Sequence, residues 1–219
     1  MDGVVRVGPA SGEEPHLLLG HAGPVQTVAV SPDGSWIASA SPDSVRKDLL
    51  DTDRRIDKLE QSIRRQIVVH ASVHGAQQIP EMMVLMSVAK DAERIGDYAK
   101  NIFALTASHV ASSGKPLHGE LQAIREEVSA LLADAPEVYD QQDKPRADAF
   151  IKRASESIDA CEAHMIKIFE LEHCSGYEVA CALAFRHIRR VAGHVQNIIT
   201  AVVNPIDTLD FHDEPRMPE

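Results

Sequence analysis

Glu93 and Asp97 stand four positions apart in a segment with helical spacing, so both carboxylates fall on one helix face. Asp53 and Asp57 repeat that spacing on the preceding apolar-striped segment. Like charges one turn apart repel weakly, and carboxylates facing inward are costly unless something positive meets them. A cation held between the two helices would relieve both pairs. An all-oxygen ligand set of Asp53, Asp57, Glu93 and Asp97 suits a hard ion, so the cofactor expected is a divalent or iron-type metal ion such as magnesium, manganese or iron. The competing reading is an ordinary salt-bridged face, for which Arg54, Arg55, Arg64 and Arg65 are the basic partners at hand.

Other chemistry finds less support. There is no glycine-rich phosphate loop, no nucleophile elbow and no paired Cys/His metal pattern. A di-iron carboxylate oxidase needs Glu-x-x-His pairs from two helices, and Glu170 with His173 is a lone match. His164, His187 and His194 sit on helical segments, where packing is the commoner use of histidine. No enzymatic site is therefore expected, and a metal-dependent helical-bundle oxidase is the weaker alternative.

The elements that must carry these residues change character near residue 43. Residues 1–43 are rich in Gly, Pro and Ser. Val25, Thr27 and Ala29, then Trp36, Ala38 and Ala40, alternate at period two about a Pro32-Asp33-Gly34 turn signal, which predicts a short β-hairpin or a disordered arm. From Ser44, a suitable N-cap, apolar residues recur at helical spacing. Helices are expected over 44–73, from Ile79-Pro80 to about 110, and over 117–140, 145–172 and 177–203, with Pro205 as the stop. The second of these carries Met82, Met86 and Ala89 on one side and Leu85, Val88, Ala92, Ile95 and Ile102 on the other, so it reads as central. Five helices with short connections make an all-α, antiparallel helical bundle. The division expected is an arm over 1–43, a bundle over 44–205 and a disordered acidic tail over 206–219.

Composition agrees with a helical bundle. Apolar residues make up 44% of the 219 and aromatics only 4%, so the core must be built from aliphatic side chains. The net charge of −11 argues against nucleic acid or an anionic membrane surface as the main partner. No apolar stretch is long enough to span a membrane, and no signal peptide is evident, which points to a cytoplasmic protein without membrane insertion. Cys161, Cys174 and Cys181 read as reduced thiols.

The bundle is internally repetitive. Glu93 to Ile102 parallels Arg189 to Ile198, and Ile56-Asp57 parallels Ile158-Asp159, at an offset of about a hundred residues. The run Ala89-Lys90-Asp91-Ala92-Glu93-Arg94-Ile95-Gly96-Asp97-Tyr98-Ala99-Lys100-Asn101-Ile102 resembles the signature helix of the PhoU family. That resemblance implies two three-helix repeats, of which the first here lacks its opening helix. It also implies that the E-x-x-x-D motif ligates metal, and that the protein regulates phosphate transport by contacting a phosphate transporter or a sensor histidine kinase. In the second repeat Arg189 and Gly193 replace the acidic pair, so no second metal site of that kind is expected. Residues 17–48 resemble part of one WD-repeat blade, through Gly20-His21, the run from Val25 to Gly34 and Ala38-Ser39-Ala40-Ser41 before Asp43. A WD-type interaction module fused to a helical scaffold is the other alternative, but one partial blade cannot close a propeller. A bundle one helix short leaves an apolar groove, and homo-oligomerisation is one way to fill it.

Overall fold

A computed structural model describes residues 4–7, 16–19, 27–30, 37–40, 42–74, 76–105 and 116–209. The chain divides into two units, Met1–Arg54 and Arg55–Glu219.

The first unit contains two antiparallel hairpins. Strand β3 (Thr27–Val30) pairs with β4 (Ile37–Ala40), with Ala29 opposite Ala38 and Val30 opposite Ile37. This is the hairpin expected from the alternating pattern; its Pro32-Asp33-Gly34 turn lies outside the described residues. A second hairpin, β1 (Val4–Val7) with β2 (His16–Leu19), was not anticipated. Each strand is only four residues long, too short for alternation to stand out.

Helix α1 spans Pro42–His74 and crosses the boundary between the units. It starts two residues before Ser44, which is therefore inside the helix and not its cap. Pro42 explains the earlier start: at the first helical position its fixed φ is already helical and its missing N–H is not needed. Helix α2 follows over Ile79–Leu105, after a single 3-10 turn at Ala76–Gln78. Its expected extension to residue 110, and the break at Ser112-Ser113-Gly114, fall outside the described residues, as does the tail beyond 209.

Helices α3 (His118–Gln141), α4 (Lys144–Phe169) and α5 (Gly176–Val203) complete the all-α antiparallel bundle, each end falling within three residues of expectation. Helix α4 ends at Phe169 and not Glu172, since Leu171 N–H closes a tight turn onto the Ile168 carbonyl. Helix α5 then starts with a capping box. The Ser175 hydroxyl accepts from Tyr177 N–H at 3.2 Å, and Ser175 N–H donates to the Glu178 carboxylate at 2.9 Å. Replacing Ser175 by alanine should lower stability by about 1 kcal/mol. Thermal unfolding should register this as a drop of roughly 2–4 °C for a chain of this size.

The core centres on α5, which packs against α2, α3 and α4. Phe185, Leu131, Val195 and Ile199 are fully buried there. The expectation that α2 is the central helix is corrected. Met82 and Ala89 are buried, yet Met83, Leu85 and Met86 are 57%, 44% and 47% exposed. Among the described residues α1 and α2 have no third helix covering that side, whereas α3, α4 and α5 cover one another. No helix among the described residues is long and apolar enough to cross a membrane.

Candidate functional site

Lys90 Nζ lies 2.5 Å from Glu93 Oε2 and 3.7 Å from Glu60 Oε1 on α1. Lys100 Nζ lies 2.8 Å from Asp97 Oδ1, with Arg94 further off at 3.9 Å. Two of the four candidate ligands are therefore neutralised by lysines one turn away on their own helix. The arginines of α1 do not supply these bridges: Arg54 pairs with Asp51 and Arg64 with Glu60. Asp53 and Asp57 are half-buried on α1. Among the described residues, no three His, Cys, Asp or Glu side chains gather closely enough to hold an ion. As the side chains stand, a cation would have to displace Lys90 and Lys100 before meeting Glu93 and Asp97.

The Lys100 ammonium beside Asp97 holds its carboxyl below the usual carboxylate range, against the opposing effect of burial. A carboxyl depressed on folding adds stability above its unfolded pKa of about 3.9 and loses it as pH falls through the lower, folded value. Replacing Lys100 by methionine should return the Asp97 titration to the ordinary range. Carbon-detected NMR of the carboxyl group would follow that shift directly.

A different constellation was missed in the sequence. Asp91, on the side of α2 facing α5, is buried. Its Oδ1 accepts from His194 Nδ1 at 2.7 Å and from Asn197 Nδ2 at 3.5 Å. The His194 ring stacks on Tyr98, with centroids 5.6 Å apart, and Tyr98 also lies 5.8 Å from His187. Arg190 Nε donates to the Tyr98 hydroxyl at 3.2 Å. Burial, then the charge of Arg186, holds His187 below the ordinary imidazole range.

These contacts obey the internal repeat. The offset that relates Glu93 to Arg189 also relates Asp91 to His187 and Tyr98 to His194. The Asp91–His194 contact thus has its counterpart in His187–Tyr98, and the Tyr98–His194 stack joins two equivalent positions. The two signature helices pack through corresponding residues, as two halves of a duplicated unit would. A polar strap inside this interface fixes the register in which α2 lies on α5, because a slip of one residue would leave a buried carboxylate without its donors.

Residues 38–106 match the PhoU domain. That segment contains α1 and α2 with the Glu93–Asp97 motif and Asp91. The chain is also similar to the phosphate-specific transport system accessory protein PhoU homolog of Synechocystis sp., with 23% identity over 160 residues. The alignment covers 70% of this chain and 71% of that protein. The PhoU likeness seen in the signature run is thus met twice, and the helical bundle agrees with it.

Cys161, Cys174 and Cys181 are free thiols. Burial pushes the Cys161 thiol up to about 12, so it stays protonated and inert.

Proposed function

We propose that this chain is an accessory regulator of phosphate transport that works without catalysis, through contact between its helical faces and a phosphate transporter or a sensor histidine kinase. The observation that carries the reading is the similarity to the accessory protein over 160 residues, which spans both repeats and not merely the signature helix.

The structure offers a surface suited to such contact. A groove of about 480 Å³ runs between α1 and α2, lined by Ile63, Ile67, Met82 and Leu85 with His70 and Gln78 at its polar edge. Next to it on α1, Val69 and Val73 are 62% and 71% exposed. Aliphatic side chains grouped this way mark interaction sites more often than isolated exposed residues do. The −11 charge of the chain as a whole favours a basic partner.

Affinity capture from phosphate-replete cell extract tests the reading. Wild type should recover a transporter subunit or a sensor kinase, and Val69→Glu with Val73→Glu should not. Recovery that is equal with both proteins, or that contains neither partner class, would reject it. Metal capture by Asp53, Asp57, Glu93 and Asp97 is a separate proposal resting on the motif alone. Elemental analysis of wild type against the Glu93→Ala, Asp97→Ala double variant decides it: metal lost in the variant supports the site, and unchanged content rejects it.

A further inference from the structure

Where the second repeat loses its acidic pair, the structure opens a cleft. It has a volume of about 250 Å³ and is lined by Arg189, Arg190, Gly193, His194 and Asn197 of α5 and by Ile158 of α4. We propose that this cleft is a binding site for a small tetrahedral oxyanion of the phosphate type, free or as the end of a phosphomonoester.

Four observations converge. The polar lining presents two guanidiniums and a carboxamide able to donate hydrogen bonds to an anion, with an imidazole beside them. Arg189 is 37% exposed, and its one side-chain bond among the described residues runs from Nη2 to Glu162, which leaves Nη1 for a ligand. His194 Nδ1 is held by Asp91, which sets the ring plane. Finally, a Cβ built on Gly193 would meet nothing within 4 Å. Gly193 therefore forms an open floor at the level where its counterpart Asp97 carries a carboxylate.

Geometry sets the size of the ligand. Gly193 sits one helical turn beyond Arg189 and one turn before Asn197, a rise of about 6 Å each way. An oxyanion over Gly193 is within reach of the arginines from one side and of Asn197 from the other. At about 30 Å³ per water the cleft holds on the order of eight waters, enough for an oxyanion with part of its hydration shell. Two acidic groups border the site and limit its strength. Glu162 Oε2 accepts from Arg189 Nη2 at 3.3 Å, and Asp91 stands behind His194. Arg189 is half-exposed, so its guanidinium can turn from Glu162 to a ligand. The same substitution that removes cation ligands from the second repeat thus supplies anion donors at equivalent positions.

The inference rests on the cleft alone and not on the regulatory reading. Inorganic phosphate titrated into the full chain, against chloride at matched ionic strength, should shift the backbone NMR resonances of 189–197 selectively. Glycerol 3-phosphate in a parallel titration separates the two sources, since tighter binding of the ester identifies a phosphomonoester end. Arg189→Gln should weaken phosphate by about tenfold, the scale of one charge-assisted hydrogen bond. Gly193→Leu should abolish binding by filling the cleft. Gly193→Ala should raise the melting temperature by roughly 1–4 °C through helix propensity, which shows that this position tolerates a side chain in the folded protein. Phosphate shifts that are absent, that spread over the whole surface, or that persist unchanged in both Arg189→Gln and folded Gly193→Leu would overturn the proposal.

Discussion

Alanine in place of Asp91 should lower the stability of the bundle by about 3 kcal/mol, the upper end of the range for hydrogen bonds to a carboxylate, since two donors lose their acceptor together. Asp91 is 7% exposed and is the acceptor for both His194 and Asn197, so the substitution strips two donors of their partner at the contact between α2 and α5. Asparagine keeps one acceptor oxygen and should cost less than alanine. Glu93→Ala should cost much less again, because Lys90 retains Glu60 as a partner and the site is partly solvated. Urea unfolding of the three variants gives the ranking. Equal midpoints for Asp91→Ala and Glu93→Ala would show that the strap does not hold the two repeats in register.

Phe185→Ala should have a loss of similar size, about 3–5 kcal/mol. Phe185 is fully buried on α5, in a cluster with Ile124, Val128, Cys161 and Ile188, and the His164 ring stacks on it at 4.9 Å. Truncation leaves a cavity enclosed by three helices that cannot all move inward. It also removes the aromatic neighbour of His164, whose Nδ1 is already buried without a partner among the described residues. Val73→Ser on the exposed face of α1 is the control and should stay within about 0.5 kcal/mol. A Phe185→Ala loss under about 1 kcal/mol, by the same urea titration, would contradict the packing described for α5.

The helices were legible because their signals are local. Apolar spacing of three and four, Pro80 near the start of α2 and Pro205 after α5 each act within a turn or two. What was not legible is which helix lies on which. Periodicity shows α2 apolar nearly all round, but the exposure of Met83, Leu85 and Met86 depends on which helices lie beside it in space. Asp91 was passed over for a related reason. Paired carboxylates at one-turn spacing drew attention to Glu93 and Asp97, while Asp91 is two positions earlier on another face and its partner lies more than a hundred residues on, in α5. One signal was available. The repeat that aligns Tyr98 with His194 also aligns Asp91 with His187, and polar and aromatic residues at matching positions of two duplicated helices are the ones such a pair would bring together.

The proposed regulation of phosphate transport is measured directly as labelled-phosphate uptake under phosphate-replete conditions, in cells stripped of their own accessory protein of this kind. Expression of the full chain is predicted to lower the uptake rate, with the effect lost in Val69→Glu, Val73→Glu. Uptake that stays unrestrained while folded wild-type protein accumulates would contradict the regulatory reading.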